Sequence, residues 1–131
     1  MSLDCLVLDS EGLSRAALRD RGMAALLAVA HKKGLRVVTS SMTLIEAYHS
    51  QVRREAWTWV MSRIVVEPVT REIADAAIDL LRETGLHGHK YAIDAALAVI
   101  AGRQPGNVAL YTSDLDDMRK LCAPRVAVRA L

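Results

Sequence analysis

Four carboxylates of this 131-residue chain end or interrupt apolar segments. Asp9 and Asp114 each end a short apolar run, while Glu46 and Asp94 are the single formally charged side chains of longer segments. An unpaired ion held away from water costs several kcal/mol or becomes neutral. Four such acids in separate segments therefore suggest a shared cation.

Carboxylate oxygens are the ligands that hard divalent cations prefer, and Mg²⁺ usually takes one or two of them directly while keeping several waters. A ring of acids around one or two such ions can hold a water, lower its pKa and neutralise charge that develops on a phosphate. These are the parts needed for phosphodiester hydrolysis.

Each acid also has a purely structural interpretation. Asp9 could cap or terminate the first strand, and Glu46 could pair with an arginine one to two helical turns on. Asp114 with Asp117 has the spacing of the N-cap and N3 residues of a short helix. Asp94 has no charged neighbour in its own segment, so a structural role would need a distant partner.

Composition predicts one domain over residues 1–131 with an aliphatic core, since 52% of residues are hydrophobic and Phe is absent. The net charge of +2 is compatible with a nucleic-acid partner without arguing for one. Cys5 and Cys122 are expected to be small buried hydrophobes. No signal segment or membrane span is evident, which predicts a soluble cytoplasmic protein.

Short apolar runs alternate with helical patterns along the whole chain. Strands are predicted at residues 5–8, 36–39, 64–69, 108–112 and 126–128. Helices are predicted at residues 13–33 with a break near Asp20, from Ser40 or Ser41 through Trp57 and Trp59 with a further break, from Thr70 to a stop at Gly85, at 91–101 and at 114–121, with a loop at 87–90.

Strands separated by helices indicate βαβ units and a parallel sheet covered on both faces. Sites in such sheets lie outside the carboxyl ends of the strands. Asp9 and Asp114 stand at two such ends, and Glu46 follows a third by about two helical turns. The acids are therefore expected to converge.

Other constellations are weaker. Glu46 and His49 have the Glu-x-x-His spacing of di-iron bundle ligands, but the partner motif is missing. His87 and His89, beside Lys90, could form a metal clip, a solvated loop or a phosphate contact.

The ordered set of Asp9, Glu46, Asp94 in Tyr-Ala-Ile-Asp-Ala-Ala-Leu-Ala, and Asp114 in Thr-Ser-Asp-x-Asp-Asp resembles the PIN domain. The likeness is to the VapC-type toxin nucleases of bacterial toxin–antitoxin pairs, and it covers essentially the whole chain. It implies a three-layer α/β/α fold with a central parallel sheet of four to five strands.

The resemblance also implies an activity and its partners. The expected protein is an endoribonuclease that uses a metal-activated water, is inhibited by a cognate antitoxin whose tail fills the active groove, and forms a homodimer. Catalysis and Mg²⁺ or Mn²⁺ binding are expected from Asp9, Glu46, Asp94 and Asp114, with Asp117 as an accessory acid and Asp116 as its less favoured substitute.

Three further residues are candidate substrate contacts, namely Thr112, Ser113 and Lys90; Thr112 and Ser113 could instead orient Asp114 or cap the next helix. Glu11 adds an acid near Asp9, where many relatives have a neutral residue. The basic residues form no dense patch, so the RNA substrate follows from the resemblance and not from charge. The alternative function is a non-catalytic PIN scaffold that binds RNA or a protein, and nuclease action on DNA is also open.

Overall fold

A parallel sheet forms the centre of the computed structural model, which describes residues 2–131. Its strands are β1 (Cys5–Leu8), β2 (Arg36–Ser40), β3 (Val65–Glu67), β4 (Val108–Thr112) and β5 (Val126–Ala130). Its helices are α1 (Ser10–Ala17), α2 (Arg21–Lys32), α3 (Ser41–Ala47), α4 (Arg54–Met61), α5 (Arg71–Thr84), α6 (Gly88–Arg103) and α7 (Leu115–Leu121).

The strand order is β3-β2-β1-β4-β5, and all four pairings are parallel. The first strand lies in the middle, where Leu6 is in register with Val37 on one side and Ala109 on the other. A strand in this position is buried on both faces, which explains its uninterrupted apolar sequence. The predicted parallel sheet is confirmed.

Helices cover both faces of the sheet. Side chains alternate along β1, so Val7 packs among residues of α6 and α7, while Leu6 and Leu8 pack among residues of α1 and α2. The two cores are aliphatic, with Leu97 and Leu13 among their largest fully buried side chains. The predicted three-layer α/β/α arrangement is confirmed.

Most helix boundaries follow local chemistry. The side chains of Asp20, Ser40 and Thr70 each accept a hydrogen bond from the N–H three residues on, as N-cap residues do. Gly85 ends α5 with φ of 71°, a conformation that glycine adopts without strain. These caps and this stop agree with the prediction.

Several predicted boundaries are wrong, among them the start of the first helix, which is Ser10 and not residue 13. Residues 87–90 were expected to form a loop, yet α6 begins at Gly88 and includes His89 and Lys90. The first turn of α6 is exposed, so its sequence lacks the apolar periodicity that predicts a helix. The third strand is shorter than predicted and ends before Pro68, which has no N–H for a sheet ladder.

Within residues 2–131, no helix combines the length and apolar character needed to cross a bilayer. Cys5 and Cys122 are both unpaired thiols. Cys5 is buried and Cys122 is half-buried, where burial and the negative charge of Asp94 raise the pKa of Cys122 to about 12.

Candidate acidic centre at the carboxyl edge of the sheet

Asp9 is the most firmly held of the predicted site residues. It follows β1, is only 5% exposed, and caps α1 because its Oδ1 accepts a hydrogen bond from the Gly12 N–H at 2.8 Å. Its Oδ2 accepts a second one from the Ser113 N–H at 3.0 Å. The structural interpretation of Asp9 is thus correct, but each carboxylate oxygen still has a second lone pair available for a ligand.

Asp114 stands at the end of β4, beside Asp9. Its backbone N–H donates to the Thr112 hydroxyl at 2.9 Å, while its side chain makes no capping hydrogen bond to α7. Burial and a hydrogen bond with the Asp117 carboxylate raise the pKa of Asp114. The N-cap position was predicted correctly, but the capping bond that would account for the side chain is not formed.

The two residues before Asp114 shape the loop that joins β4 to α7. Thr112 is 1% exposed and uses its hydroxyl on the Asp114 N–H, which favours the alternative that it orients this loop. Ser113 is exposed, and its backbone N–H anchors Asp9. The loop therefore fixes two of the acids relative to each other.

Asp94 lies in the second turn of α6 and is half-buried. Its pKa is raised to about 6, first by burial and then by the negative charges of Glu46, Asp9, Asp114 and Asp117. The charges of the other three predicted acids therefore act on Asp94 at this edge of the sheet, while the convergence of all four on one metal position stays a prediction. Among the described residues, no ion pair compensates Asp94.

Glu46 departs from its predicted surroundings. The sequence placed it in a buried apolar segment, yet the structure exposes it together with Ile45, which is 72% exposed. The short helix α3 buries Thr43 and Ala47 and packs Leu44 against the core, while Met42 and Ile45 are exposed. No ion pair joins Glu46 to an arginine in the part of the chain that the structure describes, and its charge acts on Asp94 instead.

Lys90 and Tyr91 line the rim beside Asp117. The Lys90 ammonium lies 5.1 Å from the centre of the Tyr91 ring, and its pKa is raised by the Tyr91 hydroxyl and then by Asp117 and Asp114. The Tyr91 hydroxyl in turn lowers the pKa of Asp117. Sequence reasoning missed Tyr91, although an aromatic residue one helical turn before Asp94 in an otherwise aliphatic helix was a usable signal.

The remaining candidates of the sequence analysis have local partners or are exposed, apart from the accessory acid Asp117. Glu11 forms an ion pair with Arg15 along α1, with 3.1 Å between Oε1 and Nε. His49 accepts a hydrogen bond from the Gln51 N–H, which gives it a role in its own loop. His87 and His89 are exposed, and Asp116 is exposed while Asp117 is half-buried.

The acidic centre offers oxygen donors, the class that Mg²⁺ and Mn²⁺ prefer. In residues 2–131, no three or more His, Cys, Asp or Glu side chains are already drawn together tightly enough to hold a metal ion. The repulsion that raises the pKa of Asp94 is the kind of imbalance that a cation offsets. The acids therefore offer the oxygen donors that a hard divalent cation takes, without a preformed ligand cluster among residues 2–131.

Comparison with known proteins identifies a similar fold. No protein-family model matches the chain, and no curated protein sequence matches it. The chain is similar to a crystal structure of VapBC2 from Rickettsia felis bound to a DNA fragment from their promoter, with a TM-score of 0.69, 14% identity, and coverage of 97% of this chain and 98% of that one. With its five parallel strands between two helical layers, this protein has a PIN-like α/β fold.

Proposed function

We propose that this protein is a metal-dependent endoribonuclease and the toxin of a toxin–antitoxin pair. One observation carries the proposal: at the carboxyl edge of a PIN-like fold, Asp94 has no cationic partner among the described residues, and burial together with the negative charges of four other acids raises its pKa to about 6. Such a concentration of like charge opposes folding, so it calls for a functional explanation.

The proposed cation is Mg²⁺ or Mn²⁺, held by Asp9, Glu46, Asp94 and Asp114 with Asp117 as an accessory ligand. When bound, it supplies Lewis-acid activation of water and offsets negative charge on the phosphate. Asp9 keeps its position because two backbone N–H groups hold its oxygens. Lys90 is charged at neutral pH and attracts the phosphate backbone at the rim.

The proposed partners are an RNA substrate, a cognate antitoxin and a second copy of the chain. The similar structure is of VapBC2, bound to a DNA fragment from their promoter, which supports an antitoxin partner. Met42, Ile45 and Tyr48 are exposed on or next to α3, beside Glu46, and provide an apolar surface at the acidic centre for such a partner. A cellular RNA substrate places the action of the protein in the cytoplasm.

The direct test is cleavage of a transfer-RNA pool in the presence of Mg²⁺ or Mn²⁺. Wild-type protein is expected to cleave the pool, and Asp94→Asn is expected to have lost this activity. Asp79→Asn is the matched control, because Asp79 is an exposed acid of α5 that pairs with Arg82 and does not contribute to the raised pKa of Asp94. Equal cleavage by wild type and Asp94→Asn would assign the activity to a contaminant.

The alternative function is a non-catalytic module that binds RNA or protein, and thermal melting with Mn²⁺ separates the two. A metal that binds only the folded state raises the melting temperature. The nuclease proposal expects a rise in the wild type that Asp94→Asn diminishes. Absence of any rise at millimolar Mn²⁺ would favour the binding module, and a full rise in Asp94→Asn would place the metal elsewhere.

A further inference from the structure

A second charged feature lies at the far end of α1 from Asp9. A pocket of about 230 Å³ opens between the end of α1 and the start of α4, and its polar lining comes from Arg19, Gln51 and Arg53. Leu18 and Ala56 contribute apolar wall. The pocket is therefore lined by two cations, an amide and no carboxylate.

The two arginines are unpaired within the described part of the chain. The ion pairs there engage other residues, and no hydrogen bond uses either guanidinium. Two guanidinium groups in one concavity repel each other, and an anion that accepts hydrogen bonds from both relieves this repulsion. Phosphate matches the fork of donors that a guanidinium presents.

The backbone conformation of Arg19 is a second observation that points to an anion at this pocket. Arg19 has φ of 61° and is the only described non-glycine residue with positive φ. It occupies the position after the C-cap of α1, where Asp20 N–H bonds to Arg15 O and Arg19 N–H bonds to Ala16 O. Glycine is the usual residue at that position of a Schellman motif, so folding alone does not explain an arginine there.

An acidic centre repels the backbone it would cleave, so cations elsewhere must attract and align the nucleic acid. The ten residues from Asp9 to Arg19 span roughly 15 Å at the rise of an α-helix, too far for one phosphate to contact both. We propose that Arg19 and Arg53, with Gln51, form a subsite for a phosphate of single-stranded RNA, away from the scissile bond. This inference rests on the proposed function for its substrate class.

Two substitutions remove the charges while favouring the fold. Arg19→Gly puts the preferred residue at positive φ, and Arg53→Ser gives α4 the side-chain N-cap that Arg53 does not provide. Both variants are therefore expected to melt at or above the wild-type temperature. Arg82→Gln is the matched control, since it removes one exposed arginine from α5 on the opposite face of the sheet.

The experiment measures anisotropy of a fluorescent oligouridylate with each protein in EDTA across a series of salt concentrations. Each pocket variant is expected to bind roughly two- to fivefold more weakly, as for the loss of an exposed ion pair. Each is also expected to reduce the slope of log affinity against log salt by about 0.7, the value for one single-strand phosphate contact. Because EDTA suppresses turnover, binding is measured whether or not the protein cleaves RNA.

Three outcomes would overturn the proposal. Arg82→Gln could weaken binding as much as the pocket variants, which would indicate general electrostatics. The pocket variants could bind RNA like wild type while inorganic phosphate raises the melting temperature of wild type alone, which would make free phosphate the occupant. Polyglutamate could compete at the pocket where inorganic phosphate does not, which would assign it to an acidic peptide.

Discussion

The two ends of the central sheet differ in how their charged side chains are paired. At the amino end, the Asp4 carboxylate accepts a hydrogen bond from the Asn107 N–H at 2.7 Å, and Arg36 donates to the Pro105 carbonyl at 2.9 Å. Arg125 donates to the carbonyls of Gly102, Gln104 and Gly106. Each of these charged groups has a partner of complementary polarity.

At the carboxyl end, the negative charges of four other acids act on Asp94, which has no ion pair among the described residues. The cations nearby are the exposed Lys120, which lies 3.9 Å from the Asp117 carboxylate, and the exposed Lys90. The same sheet and the same helices could have carried neutral residues there, so the fold does not require this repulsion. The difference between the ends is consistent with an amino end arranged for stability, and it is the reason for proposing that the carboxyl end binds a metal.

Asp9 anchors two backbone N–H groups and is also a proposed metal ligand. Its removal is therefore expected to have the largest effect. Asp9→Ala deletes the α1 cap and the bond from Ser113, and should lower the free energy of unfolding by about 2–3 kcal/mol. It should also reduce RNA cleavage by at least about a hundredfold. Urea denaturation and the transfer-RNA assay measure the two losses, and a stable but inactive variant would contradict the anchoring role.

At the amino end, Arg125→Ala is expected to affect stability alone. The guanidinium bridges the end of α6 and the following turn, and loss of its exposed hydrogen bonds should cost about 1–2 kcal/mol. Cleavage per folded molecule should stay at the wild-type level. An Arg125→Ala variant that lost cleavage without losing stability would contradict the assignment of the amino end to stability alone.

Gly106→Ala tests the same end through the backbone. Gly106 has φ of 81°, and a Cβ there would collide with the Asp4 side chain. The substitution should cost about 1 kcal/mol from the positive φ alone, with a further cost from the collision. Gly34→Ala is the control, because Gly34 has a similar φ of 69° with open space around it, so the difference in unfolding free energy isolates the collision.

The last prediction is the pH dependence of the metal-free protein, whose size is reduced because solvent screens the half-buried Asp94 carboxylate. The pKa of Asp94 rises from 3.8 to about 6 on folding, so the folded state binds this proton more tightly than the unfolded state. Stability from this group is therefore full below about pH 4 and is lost as pH rises towards 6. Asp94→Asn should be more stable than wild type at neutral pH in EDTA, and the advantage should vanish in acid; melting curves across pH measure it.

The sequence was sufficient to place Asp9 and Asp114 at strand ends because period and burial identify the strands of a parallel sheet. It could not predict the exposure of Glu46, since apolar residues such as Met42 and Ile45 give no sign that their side of α3 is exposed among the described residues. The contact between Asp9 and Ser113 joins residues 104 positions apart, and only tertiary structure reveals it. Metal binding and RNA cleavage stay predictions.

The central position of β1 in the sheet determines when the acidic centre can form during translation. This strand leaves the ribosome first, yet its neighbour β4 and the Ser113 amide that holds Asp9 are translated about a hundred residues later. At typical elongation rates, that delay lasts roughly 5–20 s. The anchored conformation of Asp9 therefore cannot form until β4 and the Ser113 amide have been synthesised, so a nascent chain that stops before β4 lacks the complete acidic centre.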